Sequence, residues 1–351
     1  VTSRVERHPW PAAPIRLVTA LLVVGVVSAA CGSSTPERID DDAVYFNCLE
    51  QFVERIRQAT CRVDVDSGDI EEVFAESITT WGPSISPDRR HILLTADPDP
   101  GSFDVPSEFV VLDAQHVVTR SFATNGSIDR SWSPTSDSFL TATDTGVAII
   151  PLDGSAPERI DVSPSARMYV QAMSPDGSLI AAAIGGLEEP TFLVVYDAMS
   201  GVEESRTETG PISSLAWSSD GRLAIGSSSG LLLLDPETDD FSVVDSSQVD
   251  RYFGVSWSPD DTTIAAVRGG QLVLHDVERE TQQPLTPDDV SVTSGPPAWS
   301  PNGERIVVAL TNGSDLFPHL VMIDVELGTL TDLTPAAEQP GDAGAAYPVW
   351  R

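Results

Sequence analysis

Short apolar runs alternate with brief polar interruptions along most of the chain, and one such alternation returns about every forty residues. WSPTSDSFLTAT begins at Trp132, MSPDGSLIAAAI at Met173, WSSDGRLAIGSS at Trp217, WSPDDTTIAAVR at Trp257 and WSPNGERIVVAL at Trp299, at intervals of 41, 44, 40 and 42 residues. A weaker copy, ISPDRRHILLT, starts at Ile85, and Trp350 in the terminal YPVWR holds the opening position again. A fixed period of this size is the signature of a repeat array.

Within a copy, an apolar segment ending in the marker Trp or Met runs into Ser-Pro-Asp-Gly or a variant. Pro presets φ there, and Gly, Asn or Asp tolerates the reversal, so this is a hairpin turn. The run that follows, such as Leu179 to Ile184 or Arg305 to Leu310, is apolar on both faces, as a strand sandwiched between neighbours must be. A third strand ends in an acidic turn, as in TFLVVYD (Thr191 to Asp197) or HLVMID (His319 to Asp324), and a short polar strand completes the unit. Four antiparallel strands per forty-odd residues make one blade of a β-propeller, in an all-β chain. A blade buries both faces only by stacking on its neighbours, so the recurring Trp is expected to pack between blades. Each such burial contributes roughly 2 to 3 kcal/mol.

Marker positions at Ile85, Trp132, Met173, Trp217, Trp257, Trp299 and Trp350 count seven blades, with six as the alternative. Trp350 leaves its blade unfinished. The stretch Cys61 to Ser77 resembles Val194 to Gly210, the last two strands of another blade, so the ring is expected to close by joining the two ends of the chain. On these phrases, residues 61–351 resemble the TolB-like family of WD-repeat-like propellers, whose repeat reads W-S-P-D-G before an apolar strand. That resemblance implies architecture and is almost silent on function.

Ahead of the repeats, Arg4, Arg7 and Arg16 precede fourteen apolar or small residues from Leu17 to Ala30, and then Cys31. This reads as an export signal over 1–30, too short for a membrane span. Small residues before a cysteine resemble a bacterial lipobox, which implies acylation of Cys31; ordinary signal cleavage and an uncleaved anchor are the alternatives. Residues 31–42 form a tether. The stretch AVYFNCLEQFVERIRQA predicts a short N-terminal helix within 43–60. Cys48 and Cys61, thirteen positions apart, are expected to pair in an oxidising compartment, pinning that helix to the closing blade. A loop of that size contributes about 3 kcal/mol. A metal site would need further ligands, and no His lies near either cysteine.

The formal charge is −33, and every basic residue is Arg. Such a surface repels nucleic acid and anionic headgroups, so a DNA or RNA role is not expected. Candidate chemistry is sparse. GSSSG from Gly226 to Gly230 matches a nucleophile-elbow pattern but lies between two strands of one blade, where no helix follows. His8, His91, His116, His275 and His319 are dispersed, without a pair at ligand spacing. Asp97, Asp99 and Asp104 lack EF-hand spacing and read as an acidic loop, with a bound Ca²⁺ left open. No cofactor is expected.

One grouping stands out. Arg130, Arg167, Tyr169, Arg251, Tyr252 and Tyr347 precede innermost strands, whose entering loops converge at one mouth of the central channel. They are expected to form an electropositive, aromatic-rimmed patch for an anionic group or an acidic protein loop, against the alternative that each Arg pairs locally. The functional expectation is a monomeric, non-enzymatic, lipid-anchored propeller on the outer face of the cell membrane, serving as a platform for an envelope protein or peptide. A binding module for a small anionic or saccharide ligand is the alternative.

Overall fold

The computed structural model describes residues 38–52, 55–74, 82–96, 108–123, 130–143, 146–161, 167–185, 191–238, 240–246, 251–312, 317–334 and 343–350. Residues 1–37, with the expected export signal and Cys31, lie outside them, as does the Asp97 to Asp104 loop. The described residues form strands and turns and contain no helix.

The chain begins with β1 (Ala43–Phe52), β2 (Arg55–Asp64) and β3 (Ile70–Phe74). Blade 1 is β4 (Ser84–Ile85), β5 (His91–Ala96), β6 (Glu108–Asp113) and β7 (Val118–Ala123). Blade 2 is β8 (Arg130–Trp132), β9 (Ser138–Ala142), β10 (Gly146–Pro151) and β11 (Glu158–Asp161). Blade 3 is β12 (Arg167–Met173), β13 (Leu179–Gly185), β14 (Thr191–Asp197) and β15 (Glu203–Thr209). Blade 4 is β16 (Ile212–Trp217), β17 (Leu223–Ser227), β18 (Gly230–Asp235) and β19 (Asp240–Asp245). Blade 5 is β20 (Tyr252–Trp257), β21 (Thr263–Arg268), β22 (Gln271–Asp276) and β23 (Thr281–Pro284). Blade 6 is β24 (Ser291–Trp299), β25 (Arg305–Thr311), β26 (His319–Asp324) and β27 (Leu330–Asp332). The closing blade, blade 7, has the order β28-β1-β2-β3, with β28 (Ala343–Trp350) innermost. The protein is therefore a seven-bladed β-propeller closed by both ends of its chain.

The helix expected over 43–60 is corrected: these residues are β1 and most of β2. Val44, Tyr45, Phe46 and Asn47 are all buried, because β1 is a second strand covered on both faces, and a strand buried on both faces carries no period of two. The reversal after Phe52 has no Gly or Pro to announce it. Cys48 and Cys61 form a disulfide across this hairpin, with Cα atoms 5.8 Å apart. The propeller consequently starts at Ala43 rather than at Cys61.

Seven apolar clusters fill the seven seams between neighbouring blades. The marker tryptophans belong to them, and their indoles tie one blade to the previous one. Trp132, Trp217 and Trp257 donate Nε1–H to the carbonyls of Ser84, Ala172 and Ala216 at 3.2, 3.2 and 3.0 Å. Trp350 donates instead to Asp41 at 2.6 Å, and Trp299 Nε1 is buried without a partner.

Candidate binding site

Antiparallel order places the hairpin after strand one and the hairpin after strand three of every blade on the same face. Backbone bonds join the two turns: Ala198 N–H to Ser178 O at 2.8 Å, Val277 to Thr262 at 3.0 Å and Val325 to Glu304 at 2.9 Å. This marker face holds a cavity of about 820 Å³ at the channel mouth, lined by the marker turns of blades 1 to 6 and by Pro348, Val349 and Trp350 of β28 in blade 7. Its wall repeats the sequence phrase. Pro87, Pro134, Pro175, Pro259 and Pro301 recur around it, Ser219 takes the place of Pro in blade 4, and the marker Trp or Met lies beneath.

Each turn is clipped by its own serine. Ser86, Ser174 and Ser258 donate Oγ–H to Asp88, Asp176 and Asp260 at 2.7, 2.6 and 2.6 Å. The same oxygens accept the backbone N–H groups of His91, Leu179 and Thr263 at 3.0, 2.9 and 3.0 Å. The serine hydroxyls hold the Asp176 and Asp260 carboxyls below their usual range, Asp176 down to about 2. Neighbouring turns also lock together: Asp88 N–H donates to Ser136 Oγ at 3.0 Å, and Ser219 donates N–H at 2.9 Å and its hydroxyl to the Asp261 carboxylate. Arg222 donates to the Asp261 carbonyl at 2.8 Å and stacks 4.9 Å from the Trp257 ring centroid. The rim is thus a preorganised, acidic ring.

Below the cavity, β12, β16, β20, β24 and β28 each carry a bulge shortly before the marker residue. The innermost strands of blades 5, 6, 7 and 1 come into backbone contact there. A Cβ on Gly254 would stand 2.7 Å from the Gly295 carbonyl oxygen, and one on Gly295 would stand 2.9 Å from Tyr347 Cα. Only glycine permits that approach, and bulges of this kind re-aim the backbone towards the channel.

Of the expected Arg and Tyr patch, Arg130 lines the marker-face cavity, whereas Arg251, Tyr252 and Tyr347 do not. Tyr252 is fully buried; its hydroxyl donates to the Asp245 carboxylate and lies 3.4 Å from His275 Nε2. Arg268 Nη1 donates to the same carboxylate at 2.9 Å. Burial pushes the His275 imidazole down to about 4, against the pull of Asp245, and pushes the Tyr252 phenol up. Tyr347 is half-buried between Gly82 and Gly295, and burial raises its phenol also. Arg130 directs Nη1 to Thr95 Oγ1 at 2.6 Å and Nη2 to the Gly82 carbonyl, inside the channel. Arg251 is exposed just before β20. Arg167 and Tyr169 lie on β12, with their side chains outside the described residues. A second Tyr–His pair occupies the seam of blades 7 and 1, where Tyr45 Oη and His116 Nε2 are 3.0 Å apart. Ser228 sits in the tight turn between β17 and β18, with its N–H on the Pro211 carbonyl at 3.0 Å. No group of His, Cys, Asp and Glu among the described residues has the geometry to hold a metal ion.

The charged residues lining the cavity are few: Arg89 and Arg130 on blades 1 and 2, and Asp261 across the ring on blade 5. Both arginines are engaged, Arg89 with the Asp41 carboxylate and, at 2.7 Å, the Ile39 carbonyl. The cavity residues were present in the sequence as the repeat phrase itself, where they read only as turn and packing signals.

No protein-family model matches the chain, and no curated protein matches it in sequence. Solved structures do share its fold. An oligogalacturonate lyase from Vibrio parahaemolyticus is 12% identical with a TM-score of 0.58, over 88% of this chain and 90% of that one. TolB from Acinetobacter baumannii is 14% identical, TM-score 0.51, over 88% and 82%. The Cps50 (Swd1) β-propeller domain of Myceliophteria thermophila is 16% identical, TM-score 0.56, over 73% and 85%. The first of these corrects the expectation of a non-enzymatic protein: a lyase is built on the same propeller, so the fold neither denies nor assigns catalysis. What the likenesses establish is the fold, a propeller of the shape shared by TolB and a WD-repeat protein.

Proposed function

We propose that this chain is an exported, lipid-tethered propeller of the bacterial cell envelope that binds a partner protein by admitting an extended segment of it into the marker-face cavity. The observation that carries this reading is the cavity of about 820 Å³ to which all seven blades contribute residues, six of them through a marker turn. Preorganised walls reduce the cost of ordering a site on binding. The carboxylates of the rim turns and a net charge of −33 select a neutral or basic segment and disfavour a polyanion such as an acidic saccharide. The export signal and the Cys48–Cys61 disulfide support an oxidising, extracytoplasmic address.

A photo-crosslinking residue placed at Pro175, on the rim, captures the partner in native membranes, while one at Asp289, on the far face between blades 5 and 6, does not. Filling the cavity with Ser256→Trp abolishes the Pro175 crosslink without lowering the melting temperature. A crosslink that survives the filling, or that forms equally from Asp289, refutes the reading. A small neutral saccharide is the second reading, favoured by a volume within the range of small-molecule pockets. It would raise the melting temperature of the isolated protein, where the partner reading leaves it unchanged.

A further inference from the structure

The N-terminal side of the described chain is clamped to the marker face. Ile39 is 3% exposed; its N–H donates to the Arg89 carbonyl at 2.8 Å, and Arg89 Nη2 returns a bond to the Ile39 carbonyl at 2.7 Å. Arg89 lies in the marker turn between β4 and β5, and Trp350 holds the Asp41 carbonyl. The chain towards Cys31 therefore leaves from the seam of blades 7 and 1. Eight residues separate Ile39 from Cys31, a reach of at most about 29 Å when fully extended.

The exposed apolar side chains mark the same face. Among the described residues, every exposed large apolar side chain except Val243 sits at or beside a hairpin between the third and fourth strands. Leu327, 72% exposed, and Leu330 crown blade 6; Ile70 crowns blade 7; Val117, 58% exposed, and Val118 crown blade 1; Met199, 81% exposed, and Val202 crown blade 3. Blades 6, 7 and 1 are consecutive in the ring and carry five of the eight exposed side chains, and the Ile39 clamp sits within their arc. Scattered exposed apolar residues are ordinary on a soluble surface, but a bias to one face with most of them around the chain's point of departure is not.

We propose that this arc is the membrane-facing edge of the propeller: with Cys31 acylated, the tips of blades 6, 7 and 1 rest at the lipid surface and the cavity mouth opens towards the bilayer. The inference rests on the lipid tether proposed above and adds an orientation to it. The tether fixes the distance, because the clamp cannot stand farther from the anchor than eight residues reach. The tips fix the tilt. Carboxylates such as Asp66, Asp69 and Asp324 share these turns, so the contact is made with neutral headgroups and is weakened by anionic lipid, most of all at low salt. The partner is then a chain that emerges from the membrane and enters the cavity from the lipid side.

The full chain, matured in a bacterial host and reconstituted in phosphatidylcholine vesicles with brominated acyl chains, tests this through Leu327→Trp and Asp289→Trp, each read against the wild-type tryptophan background. Both positions are exposed, so both variants fold. The added fluorescence of Leu327→Trp is quenched severalfold and that of Asp289→Trp is not. Quenching of Asp289→Trp alone, or of neither, overturns the orientation while leaving the tether standing, provided that the protein sediments with the vesicles and its mass shows acyl chains on Cys31. A mass without acyl chains and a wild type that stays in the supernatant overturn the tether, and the orientation with it.

Discussion

Blade 5 and the closing blade have the same four-stranded form and opposite origins. Blade 5 is one continuous run from Tyr252 to Pro284, with Pro259 in its first hairpin and Gly269 and Gly270 in its second. The closing blade pairs β28 with β1, bringing Ala343 against Glu50 and Trp350 against Val44, across nearly the whole chain. Joining ends so far apart carries a loop-closure cost that local hairpins do not, although that cost grows slowly, about 0.6 kcal/mol for each doubling of length. The closing blade holds what blade 5 lacks: a disulfide between its second and third strands, the Arg89 clamp on Ile39 and Asp41, and an indole bond from Trp350 to the start of β1. Polar locks such as Ser219 and Arg222 on Asp261 also join blades 4 and 5, but the covalent fastening lies in the blade where the ring is joined.

The largest test of this contrast removes the disulfide. Replacing Cys48 and Cys61 together by Ala opens a loop of 13 residues and is expected to cost about 3 kcal/mol, read as a lower denaturation midpoint. Reductant added to the wild type should reproduce the loss. Equal midpoints for wild type and variant would mean that β28 pairing alone secures the ring, and the distinction between the two blades would collapse.

A smaller test separates seams that look alike in sequence. Trp257 and Trp299 are buried to the same degree, 9% and 8% exposed, and both are markers of complete blades. Trp257 Nε1–H is bonded to the Ala216 carbonyl at 3.0 Å, whereas Trp299 Nε1 has no partner. Substitution by Phe removes similar volume at each site, so the difference between them isolates the hydrogen bond. Trp257→Phe should destabilise by about 1 kcal/mol more than Trp299→Phe. The two variants unfolding at one midpoint would show that the indole bonds are incidental to blade stacking.

The same contrast explains what could be read from the chain before its structure was known. Blades 1 to 6 announce themselves because Pro or Gly punctuates each marker hairpin and the marker fixes the register; the closing blade is legible only at its Trp350, at the end of β2 from Cys61 and at β3. β1 and β2 up to Thr60 were mistaken for a helix because Val44 to Asn47 are buried on both faces and nothing breaks the chain at Phe52. The cavity was illegible for a different reason. Arginine and tyrosine draw attention as scarce chemistry, yet Tyr252 and Tyr347 are packing residues, while the cavity is lined by the commonest words of the repeat, Ser and Pro. Residues that recur from blade to blade look structural in a sequence, and only the ring shows that they also converge.

The smallest expected effect concerns the acid stability of the marker turns, and it distinguishes blade 3 from blade 6. In blade 3 the hydroxyl of Ser174, then the backbone and hydroxyl of Ser178, hold Asp176 down to about 2 from an ordinary 3.8. A carboxyl whose pKa is depressed by folding contributes stability above the ordinary value, and that contribution is lost as pH falls from about 3.8 towards 2. Blade 6 has Asn302 at this position, accepting from Ser300 at 2.7 Å with no charge to titrate. Burial holds His275 neutral down to about 4, so a separate limb comes first, with stability falling as pH drops from 6.5 towards 4. Asp176→Asn should therefore flatten only the lower limb of a stability-against-pH curve, and only slightly, because the turn faces solvent and screening shrinks each contribution. His275→Gln should flatten the upper limb and leave the lower one intact. If Asp176→Asn altered the curve above pH 5 instead, the carboxylate would be acting through the channel mouth rather than within its own turn, and the rim would have to be treated as one coupled ring of charge.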